Sequence, residues 1–474
     1  MRSSDTIEET KENYMIDPIF GYDFINDAFD GCTYTCQTEA LARMIAGENV
    51  FLSGAAVSGK TTVINTFIKR VKEHRAVAVT ASTGIAAVLI GGKTIHSWAG
   101  LGIDTTPFNP KDISRFMYAR SNMIRNTDTL IIDEISMLPA HLFTKLDAEF
   151  KFFRGNNEPF GGMQIIASGD FQQLPPVDRD EDVDNRFCIL TDAWKDADFS
   201  YCYLDRLYRS TDTKLSTILD EIANGEVSEE SKNILLSRRG NPPKGPHIQL
   251  FTTNRNVDRY NEKELEKNPT KEKVFSSHSQ GSGKKISQLM KQQRIPSKVT
   301  LKVGATVMLT ANLNDDGVVN GSIGEVVGFT KDKFTGKKFV VVNFEGQVVS
   351  IGQYRYDLKE TVRDKNGKKR EVNVATVYQI PLKLGYAITV HKSQGQTFNS
   401  VVCDLSQCFT PGLGYVALSR VRSIDDLTLT GFSDSALEVS DEAREISAQA
   451  KRKAKKGREE FMKNIGRYIK DLYP

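Results

Sequence analysis

The chain has 474 residues, too many for one ordinary domain, and its 39% hydrophobic and 26% charged content is that of a globular protein rather than a disordered one. No apolar run approaches the roughly 20 residues that cross a bilayer, and the polar, acidic start Met1–Tyr14 has no secretory character. The formal net charge of +3 is too balanced to announce a nucleic-acid partner, so any such binding rests on a local groove.

In chain order, residues 1–34 show no periodicity and form an N-terminal extension. Alternating helix and buried-strand patterns follow: a helix over Thr38–Ala46, a strand at Asn49–Leu52, and an amphipathic helix over Thr61–Glu73 with Val63, Phe67 and Val71 on one stripe. The apolar runs Ala76–Thr80, Thr129–Ile132 and Met163–Ala167 read as further strands, and strands separated by helices predict a parallel sheet. A second α/β unit starts near Ser210. Within it, Ser297–Val377 is β-rich and reads as a small β-barrel insert, with Asn366-Gly367 as a hairpin turn. From Ser440 the chain is helical, strongly basic over Lys451–Arg458, then amphipathic with Phe461, Ile465, Tyr468 and Leu472 on one face. That basic run is open between a solvated helix, an auxiliary nucleic-acid contact and a targeting signal. The cysteines Cys32, Cys36, Cys188, Cys202, Cys403 and Cys408 are scattered. No second pair with zinc-ligand spacing follows the first two, so they read as reduced structural thiols.

The sharpest motif is Gly54-Ala55-Ala56-Val57-Ser58-Gly59-Lys60-Thr61, followed by Thr62, between a strand and a helix. It has the G-x-x-x-x-G-K-[ST] pattern of a phosphate-binding loop, whose backbone N–H groups face phosphates. Lys60 is expected to reach the β- and γ-phosphates of ATP and Thr61 to ligate Mg2+. Asp133-Glu134 ends an apolar strand, where open α/β sheets bind ligand. Asp133 suits the metal, and Glu134 suits the orientation and deprotonation of the attacking water. Gly169–Pro176 adds a glutamine, in the pair Gln172-Gln173, that suits sensing of the γ-phosphate. These residues alone predict a P-loop ATPase.

Further blocks extend the pattern: Val79–Ala87, Gly92–Gly100, Asp133–Met137, Gly169–Val177, Leu301–Ala305, Val319–Ser322, His391–Thr397 and Tyr415–Arg420. In these blocks, from about Thr35 to Phe432, the chain resembles the PIF-type (petite integration frequency) ATP-dependent DNA helicases of the B branch of helicase superfamily one, kin to RecD and Dda. The resemblance implies two RecA-like P-loop lobes of parallel sheets flanked by helices: residues 35–209, with a wedge-bearing segment at 101–126, and residues 210–296 with 378–436. The second lobe would carry the β-barrel at 297–377, and a basic helix at 437–474 would follow.

The resemblance also implies roles. Gln37 would read adenine, Gln173 would sense the γ-phosphate, and Arg209 and Arg420 would reach the phosphates from the second lobe, the alternative for each arginine being a surface ion pair. Thr80, Ser82, His96, Ser97 and Trp98 in the first lobe and Asn254, His391 and Lys392 in the second would contact single-stranded DNA, although Trp98 equally suits a core. Phe108 and Phe116 are apolar wedge candidates for splitting duplex or forked DNA. The expected activity is 5′-to-3′ translocation driven by ATP hydrolysis in a monomeric motor, of the kind used in DNA replication, repair and recombination. The rivals are an RNA translocase and a single-strand-binding scaffold with impaired hydrolysis. The scaffold is motivated by Val57, which stands where the family usually has glycine and restricts the loop backbone. A bacterial, phage or viral cytoplasmic setting is expected from the length, or a nuclear one if the source is eukaryotic.

Overall fold

The computed structural model describes residues 36–54, 58–101, 107–113, 115–176, 187–204, 212–243, 247–311, 313, 318, 320–332, 336–344, 346–363 and 369–464. Ala55, Ala56, Val57 and Arg209, the Asn366-Gly367 turn, the N-terminal extension and the apolar face beyond Lys463 lie outside those residues.

The first lobe is built on β1 (Val50–Gly54), β2 (Val77–Ala81), β3 (Lys93–Thr94), β4 (Thr129–Asp133), β5 (Gln164–Ser168) and β6 (Ser200–Leu204). They form one parallel sheet in the order β3-β2-β4-β5-β1-β6. Every residue of β1 and β5 is buried, as expected of central strands covered by helices on both faces. Val63, Ile64, Phe67 and Val71 of the helix Lys60–Val71 pack on one face with Leu41 and Met44 of the helix Cys36–Ile45. Phe143, Leu146 and Phe150 of the helix Ala140–Arg154 cover the other.

The second lobe has a four-stranded parallel sheet ordered Ala387–Thr389, Ile248–Phe251, Val401–Leu405, Leu427–Phe432. Between its first two neighbours in the sequence lie antiparallel strands in sheets of five, three and two. Their core is Val307, Leu309, Val326, Val340, Val342 and Ile351, supplied by alternating strands such as Lys338–Phe344. Antiparallel pairing already begins at Lys273–Ser276 and His278–Gly281, upstream of the expected start at 297. These two short strands are mostly exposed, so no apolar alternation marks them.

The helix Asp441–Lys463, capped by the Ser440 hydroxyl accepting from Ala443 N, returns across the molecule to β6 of the first lobe. Arg43 donates to Gly457 O at 2.6 Å and stacks over the Phe461 ring at 5.3 Å. Lys451 and Lys453 of the basic run lie over the rings of Tyr203 and Tyr201. Part of that run is thus packing its stems and charge on an edge strand rather than standing free in water. Among the described residues, no helix is long and apolar enough to cross a membrane.

Candidate functional site

The C-terminal ends of β1, β4 and β5 bring the chemistry together. β1 ends at Gly54, where a side chain would come within 2.7 Å of Leu204 O. Gly59 takes the left-handed conformation at φ 92° as the helix Lys60–Val71 begins, a turn that glycine adopts without strain. Lys60 Nζ donates to Gly54 O at 2.7 Å, which folds the ammonium back over the loop. Thr61 is half-buried beside it and Thr62 is exposed. Gln37 is buried and donates from Nε2 to Ser58 O at 3.3 Å, so the helix that carries it is tied directly to the phosphate loop.

β4 delivers Asp133, followed by Glu134 at φ 51°, a left-handed conformation uncommon for a non-glycine residue and often found at functional sites. Ser82 Oγ donates to Glu134 O at 2.7 Å and holds that turn. Burial raises the Asp133 carboxyl above its usual range, against the Ser168 hydroxyl and the Lys60 charge. Burial also raises Glu134, to about 7, helped by the Asp133 charge and opposed by Lys60 and Arg420. A carboxylate poised near neutrality is suited to general-base work.

Beyond β5, Asp170 and Gln173 are both buried. Here the second lobe closes on the first. The Tyr415 hydroxyl donates to Asp170 Oδ2 at 3.1 Å between two fully enclosed side chains. A side chain at Gly412 would stand 3.0 Å from Gln173 O, and one at Gly395 would stand 3.4 Å from Glu134 Oε1. Arg420 is 3% exposed. It donates to the carbonyls of Val416, Ser393 and Gln396 and to Ser419 Oγ, while its charge acts on Glu134 across the cleft.

Around this cleft, buried polar atoms stand without a hydrogen-bond partner among the described residues: Ser58 Oγ, Glu134 Oε2, Gln173 Oε1 and the amide of Gln394. Buried polar groups are nearly always satisfied in a finished structure. Orphans gathered at one cleft mark the place of a polar ligand.

A cavity of about 900 Å³ opens between the lobes and the antiparallel insert, lined by Thr83 and Ile85 of the first lobe and Asn254, His391 and Lys392 of the second. Thr310, Gly321 and Tyr356 line it from the insert. Of the expected strand contacts, Asn254, His391 and Lys392 therefore share one wall. His96 is half-buried and Ser97 exposed on the helix Ile95–Ala99, and neither lines the cavity. Two expectations need correction. Thr80 is completely buried, and its hydroxyl donates to Ile131 O at 2.6 Å, so it serves the sheet. Trp98 is 5% exposed and packs edge-on against Phe150 at 5.7 Å, so its ring is core. Phe108 is half-buried against Phe152, and Phe116 lies on the helix Arg115–Arg125. Asp170 and Tyr415 were legible only as members of motif blocks. Thr83, Ile85, Arg294 and Lys383, which also line the cavity, carried no individual signal.

Residues 37–241 match the family model described as PIF1-like helicase, and residues 287–329 match that of the DNA helicase Pif1 2B domain. The ATP-dependent DNA helicase Pif1 of Bdellovibrio bacteriovorus is 36% identical over 410 residues, covering 85% of this chain and 89% of that protein. The crystal structure of Pif1 helicase from Candida albicans is 31% identical with a TM-score of 0.77, covering 88% of this chain and 99% of that one. The Bacteroides Pif1 helicase in complex with ADP-AlF3 and ssDNA is 27% identical with a TM-score of 0.75, covering 87% of this chain and 97% of that one.

Proposed function

Since the chain belongs to the PIF1-like helicase family and is an ATP-dependent DNA helicase, we propose that it threads single-stranded DNA through the cavity between its lobes and steps 5′ to 3′ along it. The observation that carries this reading is the set of orphaned polar atoms at the interlobe cleft, beside a cavity walled by both lobes and the insert. ATP would lie on the phosphate loop with Gln37 against the base and Lys60 released from Gly54 O to the β- and γ-phosphates. Glu134 would take the proton of the attacking water, a role supported by its buried Oε2, which has no partner among the described residues. Gln173 and Arg420, with Arg209 in the same role, would contact the γ-phosphate from opposite sides of the cleft and draw the lobes together; its loss on hydrolysis would release them.

Thr61 and Asp133 present a hydroxyl and a carboxylate where the phosphates would sit, the hard oxygen donors that suit magnesium. That ion, when bound, would supply charge neutralisation to the phosphates. Asn254, His391 and Lys392 would hold the strand by its backbone, and the protein would act as a monomer.

The test is steady-state ATP hydrolysis with and without a single-stranded DNA oligonucleotide, a matched RNA strand as comparison, then unwinding of 5′-tailed and 3′-tailed duplexes. Stimulation by DNA with unwinding from the 5′ tail alone is the expected result. Unwinding from the 3′ tail would overturn the polarity, and equal stimulation by RNA would overturn the preference for DNA.

A further inference from the structure

We propose that Lys383, Lys392 and Arg294 form a subsite for one backbone phosphate of the single strand, on the floor of the cavity where the insert meets the second lobe. The inference rests on the cavity being the strand channel. The three cations come from separate elements: Lys383 from the short strand Leu382–Leu384, Lys392 from the helix Val390–Ser393, and Arg294 from the turn after the helix Gly283–Gln292. All three line the cavity, and none takes part in an ion pair among the described residues. Together they outnumber the two carboxylates that line the cavity, Asp258 and Glu262, and the Lys392 charge acts on Lys383. A phosphate oxygen between the two amines would turn repulsion into two charge-assisted hydrogen bonds. The Gln394 amide, 3% exposed with both polar atoms unpartnered, lines the same cavity and offers a neutral donor.

Burial lowers the Lys383 ammonium to about 7, with the Lys392 charge and then Arg294 adding to the effect and Asp258 opposing it. The ionisable groups facing this floor are Asp258 and Glu262 of the helix Asn254–Lys267, Arg294, Tyr356 of the insert, and His391 and Lys392. The first-lobe wall, Thr83 to Ile85, brings none. His391 is itself lowered by burial from the ordinary 6.5 and titrates below the window used here. At pH 8 roughly one Lys383 in ten is charged in the free protein. Phosphate favours the charged form, so docking the strand takes up a proton and affinity strengthens as pH falls.

The experiment is fluorescence anisotropy of a labelled oligo-dT with the full chain, across pH 7 to 9 and across salt, with melting temperature as the check on folding. Wild-type affinity is expected to weaken with rising pH by up to tenfold per unit, the limit for one proton. Lys383→Arg, charged throughout, should abolish that pH slope and keep the salt slope. Lys383→Met should abolish the pH slope, bind more weakly, and reduce the slope of log affinity against log salt by about 0.7, the increment for one phosphate on a single strand. A Lys383→Met variant with wild-type pH and salt slopes would overturn the subsite while leaving the channel intact. ADP or inorganic phosphate binding with this pH slope, while oligo-dT affinity shows none, would assign the cations to the nucleotide and overturn the subsite equally. Wild-type protein that binds no oligo-dT at any pH would overturn the channel reading and the subsite with it.

Discussion

Tyr415→Phe tests whether the two lobes are held in register at the ATPase cleft by one hydrogen bond. The hydroxyl donates to Asp170 Oδ2 at 3.1 Å, with Tyr415 1% and Asp170 3% exposed. Burial pushes the phenol well above its ordinary value, with the Asp170 charge adding to that, so the hydroxyl keeps its proton and is the donor. Phenylalanine fills the same space, and no cavity term enters. A hydrogen bond to a charged group contributes about 1.5–3 kcal/mol. Among the described residues Asp170 would retain only Gln172 N, on its other oxygen, so the cost sits toward the upper part of that range. Asp170 lies three residues before Gln173, and Tyr415 lies on the helix that leads to Arg420. Loosening the bond therefore disturbs the two groups expected to meet across the γ-phosphate. Strand-stimulated kcat/KM for ATP is expected to fall roughly 10- to 100-fold, the equivalent of about 1.4–2.8 kcal/mol. Asp170→Asn keeps an oxygen acceptor and should fall less. The double variant should show a coupling of about 1 kcal/mol or more against the sum of the singles. Singles that add without coupling, or a Tyr415→Phe enzyme with wild-type kcat/KM, would refute the idea that this bond sets the lobe register.

Glu134→Gln should leave ATP bound and uncleaved, because it removes the base together with the repulsion from Asp133; wild-type turnover would reassign the water-activating group. Arg420→Ala should lose hydrolysis on the order of a thousandfold if it contacts the γ-phosphate. Since Arg420 also holds the carbonyls of Val416, Ser393 and Gln396, Arg420→Lys serves as the control for folding, and full activity in either variant would count against the assignment. Glu149 is fully buried in the helix Ala140–Arg154, and neither carboxylate oxygen has a partner among the described residues. Burial raises it from 4.5 to about 8, against the nearby Lys145 charge. Between those values the folded state holds a proton that the unfolded chain has lost, so stability declines as pH rises, by up to about 1.4 kcal/mol per unit. Glu149→Gln should flatten that decline in urea unfolding at pH 6 and 8, and an unchanged pH dependence would place the proton elsewhere.

The ATPase half of the site was legible because its parts are contiguous and stereotyped. A phosphate loop needs Gly54, Gly59, Lys60 and Thr61 at fixed spacing, and an acid pair at a strand end is recognisable once the strand is. Burial was less legible. Thr80 and Ser82 sit in one block with similar chemistry, yet β2 ends at Ala81, so the first is turned into the sheet and the second lies past the strand end at the Glu134 turn. Trp98 follows an exposed serine on a short helix, and nothing local says which of the two faces Phe150. The basic run at Lys451–Arg458 was open for a different reason: its tyrosine partners on β6 lie some 250 residues earlier, and only tertiary packing joins them.

The strand channel is the extreme of this last case. Its walls include Thr83 and Ile85, Asn254, Arg294, Gly321 and Tyr356, then Lys383, His391 and Lys392, drawn from separate elements, and of these the sequence singled out Asn254, His391 and Lys392. A single strand is held by its backbone, so the protein needs scattered donors at phosphate spacing rather than a motif. The net charge of +3 conceals the channel for the same reason. Three cations converging on one floor outweigh the average only where the fold concentrates them, and Lys383 is lowered there first by burial and then by the Lys392 charge. A surface lysine of the same sequence context would stay in water and carry no such signal.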